Sequence, residues 1–286
     1  MKEKFEEAKR CEPVDPEPIP GFADFGHVNL KGVINCRDLG GMPAADGRRI
    51  KKRHLLRSAD LHDATESDIE QLKTMHDLAY VIDLRAEFEV ERVPDALYHM
   101  QGIEYVNLPA LSDGTLGFSG IKHLGEDLRS MREFIHDPFE MIGGLYPKAL
   151  LGELGIHAYS TMLHDLLEHD GATLWHCTQG KDRTGMGAII VEWALGVPKD
   201  LIKRDYLATN LFIKPWIDKM EKMTVDKVVL RSIGADLEAY AFANPCYFDK
   251  AFEAIDDEYG SMDHYFSMAL DFGPEKQAVL RDKYLE

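Results

Sequence analysis

The stretch ATLWHCTQGKDRTGMGAIIVEWALG (172–196) constrains the fold more than any other in the chain. Its first five residues, following Gly171, read as a short buried strand; a tight polar loop comes next, and GMGAIIVEWALG (185–196) is apolar nearly all round. A helix with no polar face has to be covered on several sides, as a central helix packed against a sheet is. Gly196 and Pro198 stop it.

The rest of the chain supplies the sheet. LAYVIDLR (78–85) is a continuous apolar run that suits a strand buried on both faces, as parallel sheets require, and IEYVNLPAL (103–111) reads as another, ended by Pro109. Shorter β-like runs, GVINC (32–36) and HLLRS (54–58), flank a turn-rich segment in which Asp46-Gly47 signals a hairpin. Thr65 with Asp68 three residues on is a capping-box pattern that opens a helix through Ile69 and Leu72. Residues 156–169 place Ile156, Tyr159, Leu163, Leu166 and Leu167 on one helical face, and the chain from Pro198 onward is mostly helical. The expected architecture is α/β: a mostly parallel central sheet flanked by helices, with the polar loop at the C-terminal end of a strand, where open α/β sheets place ligands.

Residues 11–20, CEPVDPEPIP, hold four prolines and three acids, which can neither pair in a sheet nor close a helix. Residues 1–20 are therefore expected to be an extended leader, and 21–286 one folded domain. Within it, 112–155 has loosened periodicity, fitting either a helical insertion that acts as a lid or a decoration packed on the core. Phe118, Phe134, Phe139 and Tyr146 are its candidate lining aromatics. A net charge of −17 opposes binding to nucleic acid or an anionic membrane surface. No apolar run reaches the roughly 20 residues of a membrane span, and the charged N-terminus lacks a secretory h-region. Four cysteines, Cys11, Cys36, Cys177 and Cys246, show no CxxC spacing, so thiols in a reducing cytoplasm are expected.

Strand, tight loop and helix N-terminus form a geometry in which backbone N–H groups converge on an anion. Gly180-Lys181 is followed by Asp182 and lacks a glycine five positions before Gly180, so the loop is not of the nucleotide-hydrolysing Walker type. There remain Cys177 at the strand end and Arg183 after five intervening residues. A thiol in a ring of amides beside a guanidinium is expected to have a lowered pKa and to act as a nucleophile at neutral pH. Arg183 offers a planar, always-charged fork for two phosphoryl oxygens. Thr178, Gln179, Gly180, Lys181, Thr184 and Gly185 complete the candidate cradle, with the Thr184 hydroxyl expected to donate to the sulfur. Lys181 serves either as a second cation at the mouth or as charge balance for Asp182. No metal and no cofactor is called for, and His176 is expected to orient the loop through backbone bonds.

His176 to Gly185 matches the HCx5R[ST] signature of cysteine-dependent protein tyrosine phosphatases, and resembles the bacterial and fungal branch whose loop reads HCxxGKDRTG, which includes a mycobacterial enzyme of broad tyrosine and phosphoinositide specificity. NCRDLGGM (35–42), LLRSADL (55–61), VIDLRAEFE (81–89), RDYLATN (204–210) and YGSMDHYF (259–266) resemble other segments of that branch. The resemblance implies phosphomonoester hydrolysis through a phosphocysteine, on phosphorylated protein or on phosphoinositides. It implies Asp182 as general acid in the absence of a Trp-Pro-Asp loop, with Asp113 second because a separate acid loop would fall there. Asp38, Arg57, Asp83 and Arg85 lie in these segments, where buried ion pairs explain them at least as well. A binding module that has lost catalysis is disfavoured, because Cys177, Arg183 and Asp182 are all kept.

Overall fold

The computed structural model describes residues 12–112, 138–214 and 242–286. Strands β1 (Arg37–Asp38), β2 (Leu55–Ser58), β3 (Leu78–Asp83), β4 (Glu104–Asn107) and β5 (Ala172–His176) form one sheet in the order β1-β2-β5-β3-β4. β1 is antiparallel at one edge and the other four are parallel, which gives the mostly parallel α/β architecture. The last strand in sequence is therefore the central one. Ser58 and Asp83 both sit opposite His176 in register, so the segments leaving β2, β3 and β5 emerge side by side at one edge.

Side-chain alternation gives the sheet two apolar faces. Leu55, Tyr80, Ile82 and Trp175 face a large core. It is filled by α3 (Pro138–Leu151), α4 (Glu153–Glu168), α5 (Arg183–Ala194), α6 (Lys199–Phe212), α7 (Pro245–Tyr259), α8 (Met262–Met268) and α9 (Pro274–Tyr284). Leu56, Val81 and Leu174 face a smaller core with Val28, Val33 and the Ile69 and Leu72 side chains of α1 (Glu66–His76). A short helix, α2 (Glu87–Arg92), follows β3. Each large aliphatic buried in this way contributes about 1.5–3 kcal/mol. The glycines of α5 let it approach the sheet: a Cβ at Gly187 would lie 3.3 Å from both Trp175 Cδ1 and Met162 Cε.

Thr65 caps α1 as its sequence predicts, accepting from the Asp68 amide while the Asp68 carboxylate accepts from the Thr65 amide. Asp46-Gly47 forms the expected turn, with Pro43 and Arg49 bridged across it. Segment 32–36, expected as a strand, is not one, because Asn35 takes a left-handed φ of 52° that turns the chain before β1. Ile19, inside the segment expected as an extended leader, is fully buried in the large core. Cys246, expected as a thiol, is disulfide-bonded, whereas Cys36 and Cys177 are free. No helix among the described residues is long and apolar enough to cross a membrane. Of the insertion, residues 113–137, with Asp113, Phe118 and Phe134, lie outside the described residues, as does the Phe139 side chain.

Candidate active site

The loop 177–182 joins the C-terminal end of β5 to the N-terminus of α5. Its shape is held by taking its carbonyls outward. Asn35 Nδ2 donates to Gln179 O (3.2 Å) and Gly180 O (3.0 Å), and Arg57 Nη2 to Gly180 O (3.0 Å). The Asp60 amide reaches Thr178 O at 3.4 Å, while Tyr159 OH and Trp175 Nε1 take the carbonyls of Arg183 and Thr184 at 3.0 and 3.2 Å. Lys181 O and Asp182 O accept from the amides of Gly185 and Met186 as the helix begins. With each carbonyl turned away, the amides of Thr178, Gln179, Gly180 and Asp182 donate to no described residue and remain available to an anion. Gly180 makes this possible with a φ of +68°, packed so closely on β2 that a Cβ would lie 2.5 Å from Ser58 O.

Cys177, the first residue of this loop, is 3% exposed. Arg183 is the first residue of α5, and its Nη1 and Nη2 both donate to the Glu89 carboxylate of α2, the latter at 2.9 Å. Glu89 also accepts from Thr178 Oγ1 (2.7 Å) and from the Ala86 amide (3.0 Å), so one carboxylate ties α2, the loop and the guanidinium together. Burial opposes ionisation of Glu89, but the hydrogen bonds and charge of Arg183 hold its pKa below the usual range. Burial likewise works against the Arg183 charge; Glu89 first, then Cys177 and Asp182, push its pKa above the ordinary value and keep it a cation.

Asp182 caps α5 without a side-chain bond to the helix. Its Oδ1 accepts from Tyr146 OH (2.6 Å), and its Oδ2 lies 3.4 Å from Lys181 Nζ. Lys181 is fully buried, 6.0 Å above the Tyr247 ring, an arrangement that matches charge balance for Asp182. Thr184 Oγ1 is buried without a hydrogen-bond partner among the described residues, so the expected bond to the Cys177 sulfur is not made in this structure. The Gly185 amide is engaged in the helix, and its Cα packs on Tyr206, where a Cβ would sit 3.2 Å from the ring. It shapes the helix packing.

Two buried ion networks brace the loop from below. Asp205 of α6 accepts from Arg57 Nη1 (2.7 Å) and from Arg37 Nη1, and all three side chains are fully buried. On the other side, Arg85 bonds to Asp83 (2.7 Å) and Asp95 (3.0 Å), while His176 lies 3.1 Å from Asp95 and 3.8 Å from Asp83. The ligand atoms of Asp83, Asp95 and His176 lie within 4.8 Å of one another, a spacing that suits a metal ion, but the Arg85 guanidinium already supplies the cation there. Burial pulls the His176 pKa down, yet Asp83 and Asp95 outweigh it and raise it to about 9. His176 therefore braces the loop through this charge network, beyond the 3.4 Å contact of Nδ1 with the Cys177 carbonyl. Asn35, Glu89, Asp95 and Asp205 were not singled out by sequence reasoning. Only their place in or near the family-like segments could have drawn attention to Asn35, Glu89 and Asp205.

Comparison with known proteins places this chain in a family. A protein of Cupriavidus necator, provisionally named a tyrosine-protein phosphatase, is 32% identical over 88% of this chain and 86% of its own length. The triple specificity protein phosphatase PtpB of Mycobacterium tuberculosis is 25% identical over 82% of this chain and 91% of its own. A tyrosine-protein phosphatase of Nostoc commune is 27% identical over 60% of this chain and 53% of its own. The model of the tyrosine phosphatase family matches residues 28–286, from just before β1 to the last residue, and the chain belongs to that family.

Proposed function

We propose that the protein is a cysteine-dependent phosphatase that hydrolyses phosphomonoesters through a phosphocysteine, with phosphotyrosine in proteins as the first substrate class. The observation that carries this reading is the loop whose carbonyls are bound from outside, with a buried Cys177 at its start and Arg183 at the head of α5. In the first step Cys177 Sγ attacks phosphorus in line, the S–P bond forms as the P–O bond breaks, and Asp182 gives its proton to the departing oxygen. Water then attacks phosphorus, Asp182 takes the proton back, and the thiolate leaves with inorganic phosphate released. Loop amides and the helix N-terminus hold the equatorial oxygens. Glu89 engages one N–H on each terminal nitrogen of Arg183, and Nη2 also reaches Thr178 Oγ1 at 3.4 Å, which leaves Nε–H and the second N–H of Nη1 for the phosphoryl group.

Asp113 is the other candidate acid. The hydrogen bond from Tyr146 of α3 and the contact with Lys181 favour Asp182, because they fix a carboxyl group next to the cradle. A second reading, hydrolysis of phosphoinositides, is supported by the triple specificity named for the mycobacterial relative. The full burial of Lys181 and its contact with Asp182 favour the first, because that cation is not offered to further phosphates at the surface. Cys177→Ser is expected to abolish turnover of an aryl phosphate while vanadate still binds, as read by steady-state kinetics and calorimetry. Turnover near wild type would refute the nucleophile. A panel of phosphotyrosine peptides and phosphoinositides decides between the substrate classes, and equal or faster release from phosphoinositides would reverse their order.

A further inference from the structure

Asp182 is approached by an ordered chain of buried hydroxyls. Tyr146 OH of α3 lies 2.6 Å from Asp182 Oδ1 and 2.6 Å from Tyr206 OH of α6. Tyr206 OH in turn accepts from the Asn244 amide that precedes α7. Both tyrosine side chains are essentially fully buried. Each phenol has a single proton, so the chain has one fully satisfied direction: the amide donates to Tyr206, Tyr206 to Tyr146, and Tyr146 to Asp182 Oδ1. A proton on Oδ1 would have to point at Tyr146 and reverse both hydroxyls. The Tyr206 proton would then face an amide that is itself a donor, and a buried donor without an acceptor is costly.

We propose that Tyr146, held by Tyr206, is a positioning residue for Asp182: it keeps Oδ1 a permanent acceptor, so that the proton given to the leaving group rides on Oδ2. The proposal rests on the reading of Asp182 as general acid. The groups facing Asp182 are Lys181, Arg183 and Cys177 of the loop, Tyr146 of α3, Tyr159 of α4 and Tyr206 of α6. Lys181 lies on the Oδ2 side, at 3.4 Å, and stabilises the carboxylate left after proton transfer. Burial first, and the facing Asp182 second, push the phenols of Tyr146 and Tyr206 well above their ordinary value, so both remain donors across the working pH range.

The test is the pH dependence of kcat/KM for an aryl phosphate, measured on the full chain for wild type, Asp182→Asn, Tyr146→Phe and Tyr206→Phe. A hydroxyl donated to a carboxylate favours its ionised form, and each phenylalanine variant weakens or removes that donor. Tyr146→Phe is expected to move the alkaline limb to higher pH, and Tyr206→Phe by less in the same direction. Asp182→Asn is expected to flatten that limb. If Asp182→Asn flattens it while both phenylalanine variants keep the wild-type midpoint, the positioning role is overturned and the acid survives. If Asp182→Asn keeps the limb, the reading of the acid itself falls, and the positioning role with it. Should Tyr146→Phe fail to fold, Tyr206→Phe carries the test, since it breaks the same chain one link further from the loop.

Discussion

Gly180→Ala offers a direct probe of how the loop is held. Gly180 has a φ of +68°, and an added Cβ would lie 2.5 Å from Ser58 O, 2.6 Å from Ser58 C and 2.7 Å from Ala59 N. All three neighbours are backbone atoms at the end of β2, which is hydrogen-bonded to β5, so none can swing aside as a side chain would. The left-handed conformation costs a residue with a Cβ about 1–2 kcal/mol, and relieving the overlap costs roughly 1–3 kcal/mol more. The expected total, about 2–5 kcal/mol, leaves a folded protein, because domains of this kind have stabilities of about 5–15 kcal/mol. The relief has to come from the loop moving off β2, and a shift near 1 Å at a catalytic centre costs on the order of 10²-fold in rate. Gly47→Ala is the control: its φ is +90°, but nothing lies within 4 Å of its Cβ, so it carries the backbone term alone and leaves turnover unchanged. Urea unfolding followed by tryptophan fluorescence gives the stabilities, and steady-state hydrolysis of an aryl phosphate gives the rates. Equal stability losses in the two variants, with wild-type turnover in Gly180→Ala, would refute the argument that the β2 backbone sets the loop.

Glu89→Gln keeps the shape of the carboxylate but removes the charge that fixes both terminal nitrogens of Arg183, and kcat/KM is expected to fall about 10- to 100-fold. Wild-type kinetics would mean that the loop alone orients the guanidinium. His176 gives a pH signature in stability: its pKa is raised to about 9 in the folded protein from an unfolded value near 6.5. The folded state thus holds the extra proton between these values, and its stabilisation, present in full below pH 6.5, is lost as pH rises through about 9. The loss is on the order of 3 kcal/mol, and His176→Gln should remove that slope from denaturation midpoints measured between pH 6 and 10. An unchanged slope would assign the dependence to another group.

What the sequence made legible was local. The strand, loop and helix of 172–196 are contiguous, so their order and the spacing of Cys177 and Arg183 required no knowledge of the tertiary fold. The capping box at Thr65 was equally local, since its donor and acceptor are three residues apart. Glu89 and Asn35 are different. They reach the loop because β5 inserts between β2 and β3, an order that nothing in the linear pattern dictates. Once that order is known, the contact follows from register: Asp83 pairs with His176, so the residues that follow β3 must run beside the residues that follow β5. Six positions past Asp83 is Glu89, and seven past His176 is Arg183. Asn35 shows the other limit, because its run of apolar neighbours reads as a strand while its own backbone is left-handed and its side chain serves the loop carbonyls.

The same register accounts for how a chain of net charge −17 can build the anion site proposed here. The ends of β2, β3 and β5 bring Arg57, Arg85 and His176 to one edge, and the loop adds Lys181 and Arg183; all five are buried. Each is matched by an acid, Asp205, Asp83 and Asp95, Asp182 or Glu89, so burying the cations does not leave isolated charges in a low dielectric. The surface acids act on an approaching ligand through water and salt, which screen them within about 8–10 Å. The buried cations act at contact range through protein, where screening is weak. A large polyanion is expected to meet mainly the surface field and to be repelled. A small tetrahedral anion that reaches the loop meets the amides, the helix terminus and Arg183, and the local field decides its fate.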